Sequence, residues 1–139
     1  MERMIHMRLS ENEFKIMEII WDEKYLDEKG EIIAKKVSDM LIDKYGWSKR
    51  ANYVYFSRLL EKGVISRRYP NYTIRALVKR EDIVNEGVKE IIDRTCEGSV
   101  LNFFRGFIRS KEITKEDIDG MQEIINSFNS DHNGENSKR

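Results

Sequence analysis

Polar and apolar positions along this chain fall into a series of short amphipathic segments. Ser10 and Glu13 form a Ser-x-x-Glu capping box ahead of Phe14, Met17, Ile20 and Trp21 at helical spacing, which predicts a first helix over about 10–22. Asp22 to Gly30 is charged and aperiodic and predicts a loop. Ile33, Val37, Met40 and Leu41 predict a second helix over about 31–44, closed by Gly46. Ser48 is placed to cap a third helix over about 49–62. Its inward face would be Asn52, Tyr55, Phe56 and Leu59. Its outward face would be Lys49, Arg50, Tyr53, Ser57 and Arg58, with Val54 near the boundary. After Gly63, the β-rich runs Val64–Tyr69 and Tyr72–Val78 meet at Pro70-Asn71, a turn dipeptide, and predict a hairpin.

Beyond Arg80 the texture changes. Asp82 is placed to cap a fourth helix carrying Ile83, Val88, Ile91 and Ile92. Gly98-Ser99 interrupts the pattern. Val100, Leu101, Phe103, Phe104, Phe107 and Ile108 predict a very apolar fifth helix. Thr114 with Asp117 resembles another cap, ahead of a sixth helix with Ile118, Met121, Ile124, Ile125 and Phe128. Residues 129–139 are polar and predict a disordered tail.

Charge sharpens this picture. The protein has 25 basic and 25 acidic side chains. Residues 44–80 nevertheless hold Lys44, Lys49, Arg50, Arg58, Lys62, Arg67, Arg68, Arg75, Lys79 and Arg80 against one acid, Glu61. Trp47, Tyr53, Tyr55, Phe56, Tyr69 and Tyr72 interleave with these cations, so the segment can fold. A local basic excess of this kind suits a polyanion, and the alternative is a solvated basic helix face. Three short helices followed by a basic hairpin describe a winged helix-turn-helix, whose third helix enters the DNA major groove while the wing follows the backbone. The expected fold is therefore mainly α with a small β-hairpin. A winged helix-turn-helix would occupy 1–80 and a helical dimerisation module 81–128. The rival for 81–128 is a helical cap on the same chain.

Composition removes other classes. No apolar run approaches the length of a membrane span and the N-terminus lacks a signal-peptide core, so the expectation is a cytoplasmic protein without membrane insertion. The single cysteine, Cys96, excludes an internal disulfide and a multi-thiolate metal site. His6 and His132 stand near opposite ends, and no Gly-rich phosphate loop or nucleophile elbow is present. The expectation is a non-enzyme with no cofactor and no metal.

The segments LSENEFKIMEIIW, GWSKRANYVYFSRLLEKGVISR, ALVKREDI, GSVLNFF and ITKEDIDGMQEII resemble the penicillinase-repressor family of bacterial transcription regulators, over about residues 9–128. The resemblance implies a homodimer that represses β-lactamase or related resistance genes by occupying an inverted-repeat operator. It also implies release by a membrane-bound sensor metalloprotease that cuts an Asn-Phe bond in the dimerisation region, here Asn102-Phe103. On spacing alone, Phe103 reads as an ordinary apolar helix residue. The distance from Trp21 to Trp47 is longer than the family pattern. Ala51 and Val54 stand where hydroxyl residues are common, and Asn52 where an apolar residue is, so the operator sequence is expected to differ. A copper-responsive branch ends in a Cys-rich motif, which this chain lacks.

The candidate DNA contacts are Trp47, Ser48, Lys49, Arg50, Tyr53, Arg58, Arg67 and Arg68. Trp47 reads first as a core anchor and Ser48 first as a cap. Tyr53 is assigned to DNA because an outward ring has little structural purpose. Arg58 suits either a phosphate or Glu61. The candidate dimer residues are Val100, Leu101, Phe104, Phe107, Ile118, Met121, Ile124 and Ile125. The alternative function is a winged-helix module that binds a protein, or a family regulator of unrelated genes not released by proteolysis.

Overall fold

A computed structural model describes residues 8–110 and 112–136, with side chains through Asp131. His6 and the last three residues lie outside this range, as does the side chain of His132. The elements run α1 (Glu11–Ile20), β1 (Glu31–Ile33), α2 (Ala34–Tyr45), α3 (Lys49–Glu61), β2 (Ile65–Arg68), β3 (Thr73–Ala76), α4 (Arg80–Thr95), α5 (Val100–Ile108) and α6 (Lys115–Asn136). The chain divides into two compact units after Lys89, inside α4.

The first unit contains the anticipated winged helix. Ser10 caps α1 through the full capping box with Glu13. Ile16, Met17 and Ile20 of α1, Val37 and Leu41 of α2, Phe56 and Leu59 of α3, and Ile65 and Ile74 of the sheet form one fully buried core. The third strand was not anticipated from the sequence. Residues 31–33, read above as the start of the second helix, form β1 and pair antiparallel with β3, giving the order β1-β3-β2. Glu31 and Ile32 are buried and Ile33 is exposed, so Ile33 does not share the inward face of Val37 and Leu41. The stretch between Trp21 and α2 holds a 3-10 turn at Glu23–Tyr25, a tight Asp27–Glu31 turn and β1. In that turn Asp27 Oδ1 accepts the N–H groups of Lys29 and Glu31 at 2.8 and 3.0 Å.

Long-range polar contacts tie the unit shut. The Trp21 indole donates to the Val78 carbonyl at 2.9 Å. Arg80 pairs with Glu18 of α1 at 2.8 Å and covers the Phe14 ring. Lys62, just after α3, makes a short ion pair with the almost fully buried Glu13. Burial raises the pKa of Glu13, but Lys62 and the Ser10 hydrogen bonds outweigh it and hold the carboxyl below its ordinary value.

The second unit differs in kind. Among the described residues after Lys89, Ile92 is the only buried hydrophobic one. Among the described residues, no pair of α4, α5 and α6 makes the close backbone approach that α2 makes to α3. Ser99 caps α5, and Thr114 forms a reciprocal cap with Asp117. Two expectations change here. Asp82 lies inside the first turn of α4 rather than capping it, because the helix already starts at Arg80. Residues 129–136, read as a disordered tail, continue α6 to Asn136.

Candidate nucleic-acid interface

The site is built around the amino end of α3. Gly46 ends α2 in the left-handed conformation, at φ 72°, where a Cβ would be strained. Trp47 then stacks on Tyr45 with ring centroids 4.7 Å apart and meets Tyr55 at 5.6 Å. Ser48 Oγ accepts the Ala51 N–H at 3.1 Å and caps α3. Asn52, fully buried, donates through Nδ2 to Ser38 Oγ at 3.0 Å and to the Ser38 and Trp47 carbonyls at 3.3 and 3.5 Å. This one amide ties α2, the turn and α3 together. Its Oδ1 is buried without a hydrogen-bond partner among the described residues.

With that face docked, Lys49, Arg50, Val54, Ser57 and Arg58 are exposed. The charge arrangement at the helix start sets α3 apart from α1, α4 and α6. α1, α4 and α6 carry acids in their first turns, where the positive end of the helix dipole favours them. α3 has none, and presents Lys49 and Arg50 there instead. Neither makes an ion pair among the described residues. Two unpaired cations beside exposed N–H groups disfavour the isolated helix and favour an approaching anion.

Sequence expectation and structure diverge at several candidate residues. Tyr53 is not a ring without structural purpose. It is half-buried and packs edge-on against Phe56 at 5.1 Å and Tyr72 at 5.5 Å, joining α3 to the wing. Tyr55, placed on the inward face, is only half-buried, and its hydroxyl accepts from Asn12 at 2.9 Å. Arg58 lies over the Tyr55 ring rather than against Glu61. On the wing the two arginines differ. Arg67 lies over Tyr69 and Tyr72, 5.0 and 5.3 Å from their centroids, with its charge unpaired by any acid among the described residues. Arg68 is held by Glu31 of β1 through a forked contact, 2.7 Å to Oε1 and 3.5 Å to Oε2. That bond lowers the Glu31 pKa and raises that of Arg68. The pair fixes β1 to the wing across the sheet.

The sequence reading also missed the amino end of α2. Lys35 and Lys36 lie exposed in its first turn, again without an acid there. Lys35 pairs with Asp39 at 2.9 Å, which raises its pKa. Lys36 makes no ion pair among the described residues. The misplaced start of α2 concealed these lysines, since a helix beginning at residue 31 would have put Glu31 in its first turn.

The sequence pattern of the penicillinase repressor family matches residues 9–127. The chain belongs to that family. It is a family of transcriptional repressors, regulators rather than enzymes, with DNA as their partner. No curated protein matches this chain. Among the described residues, no helix is long and apolar enough to cross a membrane, and no group of three or more His, Cys, Asp or Glu could hold a metal ion.

Proposed function

We propose that this penicillinase-repressor family member is a cytoplasmic homodimeric repressor that occupies an inverted-repeat operator. The observation that carries the reading is the acid-free start of α3, with Lys49 and Arg50 exposed and unpaired. In this reading Lys49 and Arg50 contact bases and phosphates at the mouth of the major groove. Trp47 and Ser48 set the helix start and lie beside the adjoining phosphates. Arg58 and Arg67 lie along the backbone. Tyr53 and Arg68 brace the recognition helix and wing more than they contact DNA, because ring packing and Glu31 already engage them.

Residues 81–128 supply the dimer contact. Val100, Leu101, Phe107, Ile124 and Ile125 are exposed, while Phe104, Ile118 and Met121 are half-buried, so one chain leaves an apolar surface that a second copy would cover. The operator would control β-lactamase or related resistance genes. Cleavage at Asn102-Phe103, in the first turn of α5, would end repression by removing most of that surface.

The experiment is a gel-shift titration with an operator duplex over a range of salt. Lys49→Ala or Arg50→Ala is expected to weaken binding by about 1–3 kcal/mol. Loss of one phosphate contact is expected to lower the salt slope by about 0.9. Unchanged affinity and slope in both variants would move the function to protein binding.

A further inference from the structure

The outward face of α3 has an apolar centre. Val54 retains 47 % exposure, one turn beyond Arg50 and just under one turn before Ser57. With Lys49, Arg50, Tyr53 and Ser57 it lines a shallow concavity on the helix surface. Single exposed apolar residues are ordinary on protein surfaces. Val54 differs in position: it sits mid-helix, flanked by the two unpaired cations and a hydroxyl. A β-branched residue there gains nothing in helix propensity, since Ala would be better. Nor does it serve the core, whose α3 members are Asn52, Phe56 and Leu59.

Resting on the DNA-reading function proposed above, we infer that Val54 is a specificity-determining residue that packs on the 5-methyl group of a thymine. Thymine is the only base that presents an apolar group in the major groove. Cations at the helix start would hold the phosphates on either side, leaving the middle of the helix to meet base edges. Lys49 and Arg50 line the same concavity, and side chains of this kind lay their stems along apolar surface while their charged heads reach outward. Each half-site would therefore contain one thymine whose methyl matters and whose hydrogen-bonding edge does not.

The test uses the intact protein and a duplex selected by it from a random library. Each thymine in turn is replaced by deoxyuridine in both half-sites, which deletes only the methyl. At one position the wild type should lose about fourfold per half-site, the worth of one buried methyl group. Val54→Ala should bind the original duplex about that much more weakly and become indifferent to deoxyuridine at the same position. Its thermal midpoint should not fall, because the side chain is half exposed. Indifference of the wild type to every deoxyuridine overturns the inference, and so does a penalty that persists in Val54→Ala. Either result leaves the DNA-reading function standing if the selected duplex still binds with a steep salt slope. Failure to select any duplex removes both.

Discussion

Ile124 gives the sharpest test of the second unit. It lies on the stripe Ile118, Met121, Ile124, Ile125 and Phe128 along one face of α6, and 69 % of its surface is exposed in the single chain. Fully burying an isoleucine side chain is worth about 1.5–3 kcal/mol, so covering the exposed part is worth about 1–2 kcal/mol. A two-fold interface uses the residue twice, which makes about 2–4 kcal/mol per dimer. Ile124→Ala keeps one of the side-chain carbons, so the expected loss is about 1.5–3 kcal/mol, or roughly 10- to 150-fold in the dimer dissociation constant. Sedimentation over a dilution series reads this directly. Thermal unfolding at concentrations that populate monomer supplies the control: little of Ile124 is covered by its own chain, so the midpoint should hold. Ile16→Ala, in the closed core of the first unit, should instead cost about 2–5 kcal/mol of folding stability without loosening the dimer. A dissociation constant unchanged within twofold for Ile124→Ala would place the dimer contact elsewhere and refute the reasoning.

Two further outcomes follow from the two units. Because Glu13 has a lowered pKa in the folded state, its contribution is complete above about 4.5, the ordinary value, and is lost as pH falls through the folded value. The thermal midpoint of wild type should therefore drop more steeply on acidification than that of Glu13→Gln, and parallel curves would show that the Lys62 pair is not the acid-sensitive lock. A chain ending at Asn102 should keep the unfolding midpoint of the first unit, whose buried core lies wholly before residue 90. Its operator affinity should fall by about 100-fold or more as tethering of two half-sites is lost, and equal affinity by gel shift would exclude release by that cut.

Much of the first unit was legible because its signals are local. A capping box at Ser10, a glycine stop at Gly46 and a cap at Ser48 each act within one turn, and the structure places all three where the residues indicate. β1 was not legible. A strand of three residues gives too few positions to establish a period, and the pairing that makes it a strand comes from Arg75, Ile74 and Thr73, some 40 residues on. The same non-locality misled the reading of the candidate site. Composition counts Arg67 and Arg68 as equals, but only the fold brings Glu31 to one of them and two aromatic rings to the other. Tyr53 looked idle on an outward helix face because the wing that receives its ring lies beyond a glycine and two turns of chain. α6 exceeded its expected length for the opposite reason: polar residues without strong propensity extend a helix that the apolar stripe and the Thr114–Asp117 cap have already nucleated.

The contrast between the units bears on how such a repressor could be switched. A winged helix with its own closed core, ion-paired at Glu13–Lys62 and Glu18–Arg80, does not need a partner to fold. The second unit, which buries only Ile92 among its described hydrophobic residues, gains its stability largely from what covers it. In the proposed dimer, affinity for a palindrome would depend on both, with one recognition helix holding one half-site and association supplying the other. The vulnerable element is then the one whose loss leaves the reader folded. α5 fits that description: it is nine residues long, starts at a single serine cap, and holds Asn102 exposed within its first turn. A short helix of this kind opens locally at low cost, so a backbone bond inside it can become accessible without unfolding the DNA-reading unit.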